Sequence, residues 1–320
     1  MGNRFFVAVL IVWGLMIAPN ARALDTSVEA GIGYDDNAAE VSGGEGAGFA
    51  RYRIRLNQSL PQNTTQIRGA LFMEGSYNQY LDLDDYYQFL AGGDLSFSAF
   101  QDRLRPGLFI QALAYRDELV EEDEQDRFLI GGRMEWLADA RLSLTVRGSL
   151  ARADYRNEVN LPGRRLPPYG RGKGPSWGRP EPDGSNETFS REDTIGTIEM
   201  GAALFPTPDL QAEFRVHHRR VDSSAVFESY RDNGVSGWVG WFPTESWELF
   251  ASGAWARLDF DESPDETDRT DDLYSLGMGI RRFWGDFEIY LELDRTENDS
   301  PVDGEDYAKT VTRCGLVYSF

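Results

Sequence analysis

The sequence predicts an all-β protein: a transmembrane, antiparallel up-and-down β-barrel of about fourteen strands. Three observations predict it. The chain opens with the layout of a secretory signal, and it closes on an alternating run capped by an aromatic residue. Between the two, short alternating segments are joined by connections that are tight and long by turns.

At the N-terminus, Arg4 supplies a positive region and Phe5 through Ile17 form an apolar run broken only by Gly14. Ala21-Arg22-Ala23 then places small residues at both positions read by a signal peptidase. The run is short for a helix of ~20 residues that spans a bilayer, and no cysteine stands at its end to carry a lipid anchor. Residues 1–23 are therefore expected to be a cleaved signal peptide and residues 24–320 a barrel exported to a bacterial outer membrane.

At the other end, Thr312, Cys314, Leu316, Tyr318 and Phe320 alternate with Arg313, Gly315, Val317 and Ser319. In a strand this spacing sends the two sets to opposite faces. Leu316, Tyr318 and the terminal Phe320 resemble the signal by which barrel-assembly machinery recognises its clients.

Composition fits the same fold. Aromatics make up 13% of the chain, Gly occurs 33 times, and the mean hydropathy is −0.46. A barrel reconciles these values because only alternate residues face lipid while the lumen stays polar. A net charge of −21 argues against a nucleic-acid partner, which needs a basic footprint. Cys314 is the only cysteine, which excludes an intramolecular disulfide and a cysteine-based metal site. Apart from Lys173 and Lys309 every basic side chain is arginine, suited to fixed pairing with carboxylates.

Tight turns are expected at Pro61-Gln62-Asn63, Gln101-Asp102-Arg103, Asp139-Ala140-Arg141, Thr207-Pro208-Asp209, Thr244-Glu245-Ser246 and Trp284-Gly285-Asp286. Longer polar connections fall near residues 36–48, 81–85, 119–126, 157–190, 222–232, 261–271 and 298–305. Short turns on one side and long loops on the other are the habit of bacterial outer-membrane barrels.

The alternation assigns faces. Leu142, Leu144, Val146, Gly148 and Leu150 are set toward lipid, with Ser143, Thr145, Arg147 and Ser149 inward. Arg215 falls on the inward face of its strand, beside Gln211, Glu213 and His217. A soluble β-sandwich also alternates, with its apolar face inside; the two termini and the turn asymmetry favour the barrel. Tyr86, Tyr87, Phe97, Phe100, Trp136, Trp241, Phe242, Trp247, Phe283 and Trp284 stand where strands meet turns or loops and are expected in interfacial girdles.

Fourteen strands ~4.8 Å apart and tilted ~40° give a backbone diameter of roughly 28 Å and an opening of about 16 Å. Arg51, Arg53 and Arg55 on the second strand and Arg68 on the third form a basic stripe in that lumen. Glu288, Glu292 and Asp294 on the thirteenth form an acidic one, near Arg281 and Arg313. Two arrangements are open: opposed stripes that set a transverse field, or cross-strand pairs that brace the wall.

The longest connection, residues 157–190, is rich in Pro and Gly and carries Arg164, Arg165, Arg171, Lys173 and Arg179. It either folds inward and constricts the lumen or projects as a surface loop. The acidic segments 118–126 and 259–272 match no defined calcium loop. No cofactor or metal is expected. An enzyme is not expected either: only His217 and His218 are available, one inward and one outward, and no motif marks Ser149 or Ser252 as a nucleophile.

Gly31-Ile32-Gly33-Tyr34-Asp35-Asp36-Asn37 resembles the first strand and loop of barrels that follow tetratricopeptide domains. Arg295-Thr296-Glu297-Asn298-Asp299-Ser300, with Asp306-Tyr307 and Tyr318-Ser319-Phe320, resembles their last hairpin. The group includes the C-terminal barrel of the surface lipoprotein assembly modifier family and related barrels of exopolysaccharide export systems. The chain departs from the modifiers in lacking the periplasmic repeat domain. The resemblance implies a barrel that delivers or exports a substrate at the outer membrane. The expected function is thus passage across that membrane, as a porin-like channel or an export component, with a surface-adhesion barrel acting through its loops as the alternative. Expected partners are outer-membrane lipid and lipopolysaccharide, the assembly machinery, and a small solute or exported substrate.

Overall fold

The computed structural model describes residues 24–40, 44–60, 67–157, 159–160, 188–225, 228–261, 269–302 and 305–320. The signal-peptide segment, the turn at Pro61-Gln62-Asn63 and most of the connection 157–190 lie outside these residues.

Alternating sequence becomes strand throughout. The elements are β1 (Leu24–Asp35), β2 (Ala47–Ser59), β3 (Ile67–Tyr80), β4 (Tyr86–Phe97), β5 (Leu104–Asp117), β6 (Gln125–Leu137) and β7 (Leu142–Tyr155). After a two-residue ribbon, β8 (Val159–Asn160) with β9 (Thr188–Phe189), come β10 (Glu192–Thr207), β11 (Leu210–Ser223) and β12 (Tyr230–Thr244). β13 (Trp247–Phe260), β14 (Thr270–Trp284), β15 (Phe287–Asp299) and β16 (Tyr307–Ser319) complete the set. Fourteen of them pair antiparallel with their chain neighbours, and β1 pairs with β16 from Ser27↔Ser319 to Asp35↔Val311, which closes the barrel. Closure leaves no free strand edge, the condition for a sheet in hydrocarbon. Strands of 12 to 16 residues exceed the ~10 needed to cross a bilayer, so their loop ends stand beyond it.

The distribution of polarity separates a barrel from a sandwich. Outward-facing Ile32, Leu108 and Leu150 are 64%, 61% and 63% exposed, whereas inward-facing Asp193 and Asp232 are each 1% exposed. A water-soluble protein does not present a continuous belt of bare aliphatic side chains around acidic interior positions. Lipid is the solvent such a surface needs.

Aromatics edge that belt at both ends. Tyr34, Tyr52, Tyr77 and Tyr87 project outward toward the loops, and Phe97, Trp136, Trp241, Trp284 and Phe287 toward the turns. At the turn end Tyr318 packs against Phe287 at 4.8 Å and against Phe320 at 4.6 Å. Two residues expected in the girdles face inward instead. Tyr86 lines the lumen mouth, and Phe283 pairs with inward Glu288. Each follows the pleat, so one residue's difference in phase moves it to the other face. The hairpins at Pro208-Asp209, Glu245-Ser246 and Gly285-Asp286 are tight two-residue turns, and Gly285 takes the left-handed φ of 58° that a side chain resists.

Candidate functional site

The lumen is the site, and the pleat decides what lines it. Five inward aromatic rings stand directly across from inward glycines: Phe49 from Gly33, Phe72 from Gly92, Phe109 from Gly131, Phe250 from Gly279 and Tyr290 from Gly315. Each ring lies so close on its glycine that a Cβ there would meet it within 2.8 Å. Trp238 covers Gly240 two residues along the same strand in the same way. The rings therefore lie along the wall and shield bare backbone rather than projecting across the lumen. Two carry a guanidinium on the lumen side: Arg147 at 4.1 Å over Phe109 and Arg281 at 4.5 Å over Phe250. Such cation–π stacks contribute about 0.5–1 kcal/mol each and fix the arginine along the wall.

Most of the inward charges predicted from sequence are engaged in chains of ion pairs. Glu29 of β1 stands between Arg51 (3.7 Å) and Arg53 (3.3 Å), and Glu74 of β3 between Arg53 (3.5 Å) and Arg55 (2.7 Å). Tyr290 donates its hydroxyl to Glu29 at 2.7 Å. On the other side of the closure, Arg281 reaches Glu248 (3.3 Å), Glu288 (3.5 Å) and Glu292 (2.9 Å), while Arg313 holds Glu292 (2.7 Å) and Asp294 (3.0 Å). Arg215 pairs with Glu213 at 2.7 Å. Arg68 points inward near the turn end and is exposed.

The two stripes are not opposed. Closure places only β1 and β16 between β2 and β15, so they are near neighbours on the wall. The reading as opposed stripes is corrected for that reason: strand number measures distance along the chain, not around a ring. A wider asymmetry replaces it. On β2–β7 the inward arginines are 51, 53, 55, 68, 105, 127, 133 and 147, against Glu74, Asp94, Asp117 and Glu135. On β10–β15 the inward carboxylates are Asp193, Glu199, Glu213, Asp232, Glu248, Asp271, Glu288, Glu292 and Asp294, against Arg215, Arg219 and Arg281. One half of the wall is thus net cationic and the other net anionic.

The loop end narrows to a mouth. A cavity of about 480 Å³ is lined there by Tyr80, Tyr86, Tyr115, Tyr155 and Tyr230, with charged groups between them. Loop residues reach inward to it: Ala38–Glu40, Leu119 and Val120, and Glu228. Three cations hold such loops to the wall. Lys309 bridges Asp35 (3.0 Å) and loop Glu40 (2.9 Å), Arg191 bridges Asp193 (2.8 Å) and loop Glu228 (3.5 Å), and Arg269 joins Asp271 to loop Glu305 (2.7 Å). Sequence reading missed these latches. The signal that marks two of them is a repeated local pattern, Arg191-Glu192-Asp193 and Arg269-Thr270-Asp271, each at a loop-to-strand boundary.

His217 faces the lumen and meets Asp232 at 3.0 Å; His218 faces outward and meets Asn233 at 2.8 Å. Neither has a serine partner, and Ser149 and Ser252 hydrogen-bond no histidine among the described residues. The described acidic side chains Asp126, Asp261 and Asp272 are tied to arginines. Leu316 and Tyr318 share one face of β16, and exposed Phe320 follows the strand's last residue with its ring against Tyr318.

No protein-family model matches the chain, and no curated protein is similar to it in sequence. Solved structures are similar in fold. A bacterial polysaccharide outer membrane secretin superposes with a TM-score of 0.52 at 12% identity, covering 94% of this chain and 99% of that one. The CymD monoaromatic hydrocarbon channel gives 0.51 at 11% identity over 96% and 92% of the two chains. The anion-selective porin from Comamonas acidovorans gives 0.50 at 10% identity over 93% and 98%. The likeness covers whole chains, so the protein has the fold of outer-membrane channels and porins. The resemblance to the modifier family rests on the end motifs alone.

Proposed function

We propose that the protein is a water-filled channel of a bacterial outer membrane that passes polar solutes through its lumen and is not an enzyme. The observation that carries this reading is the flattening of six lumen aromatics onto glycines, which keeps those rings out of the path below the mouth. Rings that filled the interior would instead mark a structural or adhesive barrel. The similar fold of a porin and a hydrocarbon channel supports passage, and that of a polysaccharide secretin supports export as its direction.

The charge pattern gives the channel its selectivity. Net charge on the chain is −21, yet inward arginines and carboxylates are close to balanced, because the excess carboxylates lie on loops and the outer rim. The lumen therefore acts on a solute's dipole more than on its net charge. The expected result is a cation-to-anion permeability ratio within about threefold of unity, read from the reversal potential across a salt gradient. Replacing Arg51, Arg53 and Arg55 with glutamine shifts that ratio toward cations. Strong cation selectivity in the unaltered protein would contradict the balanced-lumen account.

A further inference from the structure

Around the mouth, the chain's own cations sit on aromatic rings by a repeated plan. Arg191 lies 4.2 Å over the Tyr155 ring at the end of β7 and binds Asp193 two residues on at 2.8 Å. Arg269 lies 4.1 Å over the Phe260 ring at the end of β13 and binds Asp271 two residues on at 3.1 Å. Asp193 and Asp271 are 1% and 2% exposed. Each guanidinium is thus held between the face of a ring and a buried carboxylate. A ring face is electron-rich and attracts a cation, the more strongly where water is excluded.

The β3–β5 side of the mouth repeats the rings and the carboxylate without the guanidinium. Tyr80, Tyr86 and Tyr115 form a curved aromatic wall, with Tyr86 centred 6.1 Å from Tyr80 and 6.0 Å from Tyr115. Asp117 stands directly across from Tyr86, two residues on from Tyr115, whose hydroxyl donates to it at 2.6 Å. The N–H groups of Leu119 and Val120 donate to its other oxygen at 2.9 and 3.0 Å. Asp117 is 5% exposed. Among the described residues no arginine or lysine pairs with it, and none stacks on the three rings.

Burial, with Glu40 nearby, lifts the Asp117 carboxyl above its ordinary value, and its three hydrogen bonds oppose the rise. The cations whose charge reaches Tyr86 have carboxylates of their own. Lys309 holds Asp35 (3.0 Å) and Glu40 (2.9 Å), and Arg51 meets Glu29 at 3.7 Å. Asp35, Glu40 and Asp117 therefore stand as three carboxylates against one ammonium. The three tyrosines line the cavity of about 480 Å³ together with apolar Leu113, Leu119 and Val120. A cavity of that size encloses a small solute.

We infer that this side of the mouth binds the alkylammonium group of a small solute, which takes the place that Arg191 and Arg269 take over Tyr155 and Phe260. An alkylammonium group spreads its charge over C–H groups, leaves water more readily than a compact ion, and is wide enough to touch two rings at once. A bare metal ion fits less well, because ring faces do not supply the oxygen ligands that hard cations require. The inference rests on the channel reading only in taking the bound solute for one that then passes. Binding itself is measured without conduction.

Choline is the probe, and its methyl proton resonance is followed at pH 8 with the folded protein in an uncharged detergent. Aromatic faces shift such protons upfield, a signature that a carboxylate alone does not give. The expected result is a saturable upfield shift with a dissociation constant in the millimolar range. The tert-butyl analogue of choline, with carbon in place of the charged nitrogen, is expected to bind about tenfold more weakly. Tyr86→Phe keeps the ring and is expected to leave affinity within about twofold, whereas Tyr86→Leu weakens it about fivefold and shrinks the shift at saturation. Asp117→Asn still accepts the loop N–H groups and is expected to weaken binding about fivefold with the shift at saturation unchanged. Asp94→Asn, near the turn end of β4, is expected to change neither. No saturable shift, equal binding of the uncharged analogue, or displacement by an equal concentration of sodium chloride overturns the inference. So does binding unaltered in both Tyr86→Leu and Asp117→Asn. Choline bound as expected by a barrel that never conducts would leave this site standing and sink the channel; conduction without choline binding would do the reverse.

Discussion

Replacing Gly131 with alanine is expected to destabilise the barrel by about 1–3 kcal/mol, the usual range for forcing one methyl into a filled space. The added Cβ would lie 2.3 Å from Cζ of Phe109 and 2.6 Å from the Gly148 carbonyl oxygen. The first contact can be relieved by swinging the ring, but that lifts Phe109 from under Arg147 and breaks their stack. The second is with backbone and cannot be relieved without distorting the β6–β7 ladder. Gly148→Ala is the control, on the next strand but facing lipid. Its Cβ would find nothing nearer than the Thr197 carbonyl oxygen at 4.0 Å, so it is expected to be neutral within about 0.5 kcal/mol. Urea unfolding of the two variants in the same lipid decides the matter. Equal midpoints would mean that the rings are not seated on their glycines.

Removing Arg281 is expected to cost about 1–3 kcal/mol. Glu248, Glu288 and Glu292 all reach this one guanidinium, and its loss leaves three carboxylates on adjacent strands without it. A broken buried ion pair costs more than this, but Arg281 is about one-third exposed to the lumen, and water there screens the remaining charges. Arg281→Met should therefore lower the unfolding midpoint and shift permeability toward cations together. Adding Glu288→Gln to it should recover part of the stability, because Arg281 is the cation that Glu288 pairs with among the described residues, whereas Arg313 still holds Glu292. Strict additivity of the two substitutions would show that the chain of pairs is not a coupled unit.

The barrel was legible because its local rules are local. Period-two alternation set Leu142 through Leu150 outward and Gln211, Glu213, Arg215 and His217 inward, and turn residues marked the hairpins at Thr207-Pro208-Asp209 and Trp284-Gly285-Asp286. The inward direction of Arg51, Arg53, Arg55, Glu288, Glu292 and Asp294 followed from the same pleat. What depends on register or closure was not legible. The partners of Phe109 and Phe250 are glycines on the next strand, known only once Phe109↔Gly131 and Phe250↔Gly279 are fixed. The nearness of the basic and acidic stripes depends on β1 meeting β16, a pairing that joins the two ends of the sequence. Glu228 and Glu305 belong to loops, where no periodicity assigns a face; only the repeated Arg-x-Asp pattern hinted that something binds there.

These features describe one device. The glycine–aromatic pairs hold the wall thin, the ion-pair chains hold its charges flat and balanced, and the latches hold loops against the mouth. The central claim is that water and solute pass through what remains, and single-channel recording in a planar bilayer tests it most directly. The expected result is stable openings of reproducible size, smaller than a bare lumen of about 16 Å would give, because loop residues reach inward at the mouth. The conductance should fall in Gly240→Ala, where a Cβ 2.2 Å from the Trp238 ring would force that ring off the wall and into the path. A folded, inserted barrel that never opens, or one whose conductance is indifferent to Gly240→Ala, would contradict the account.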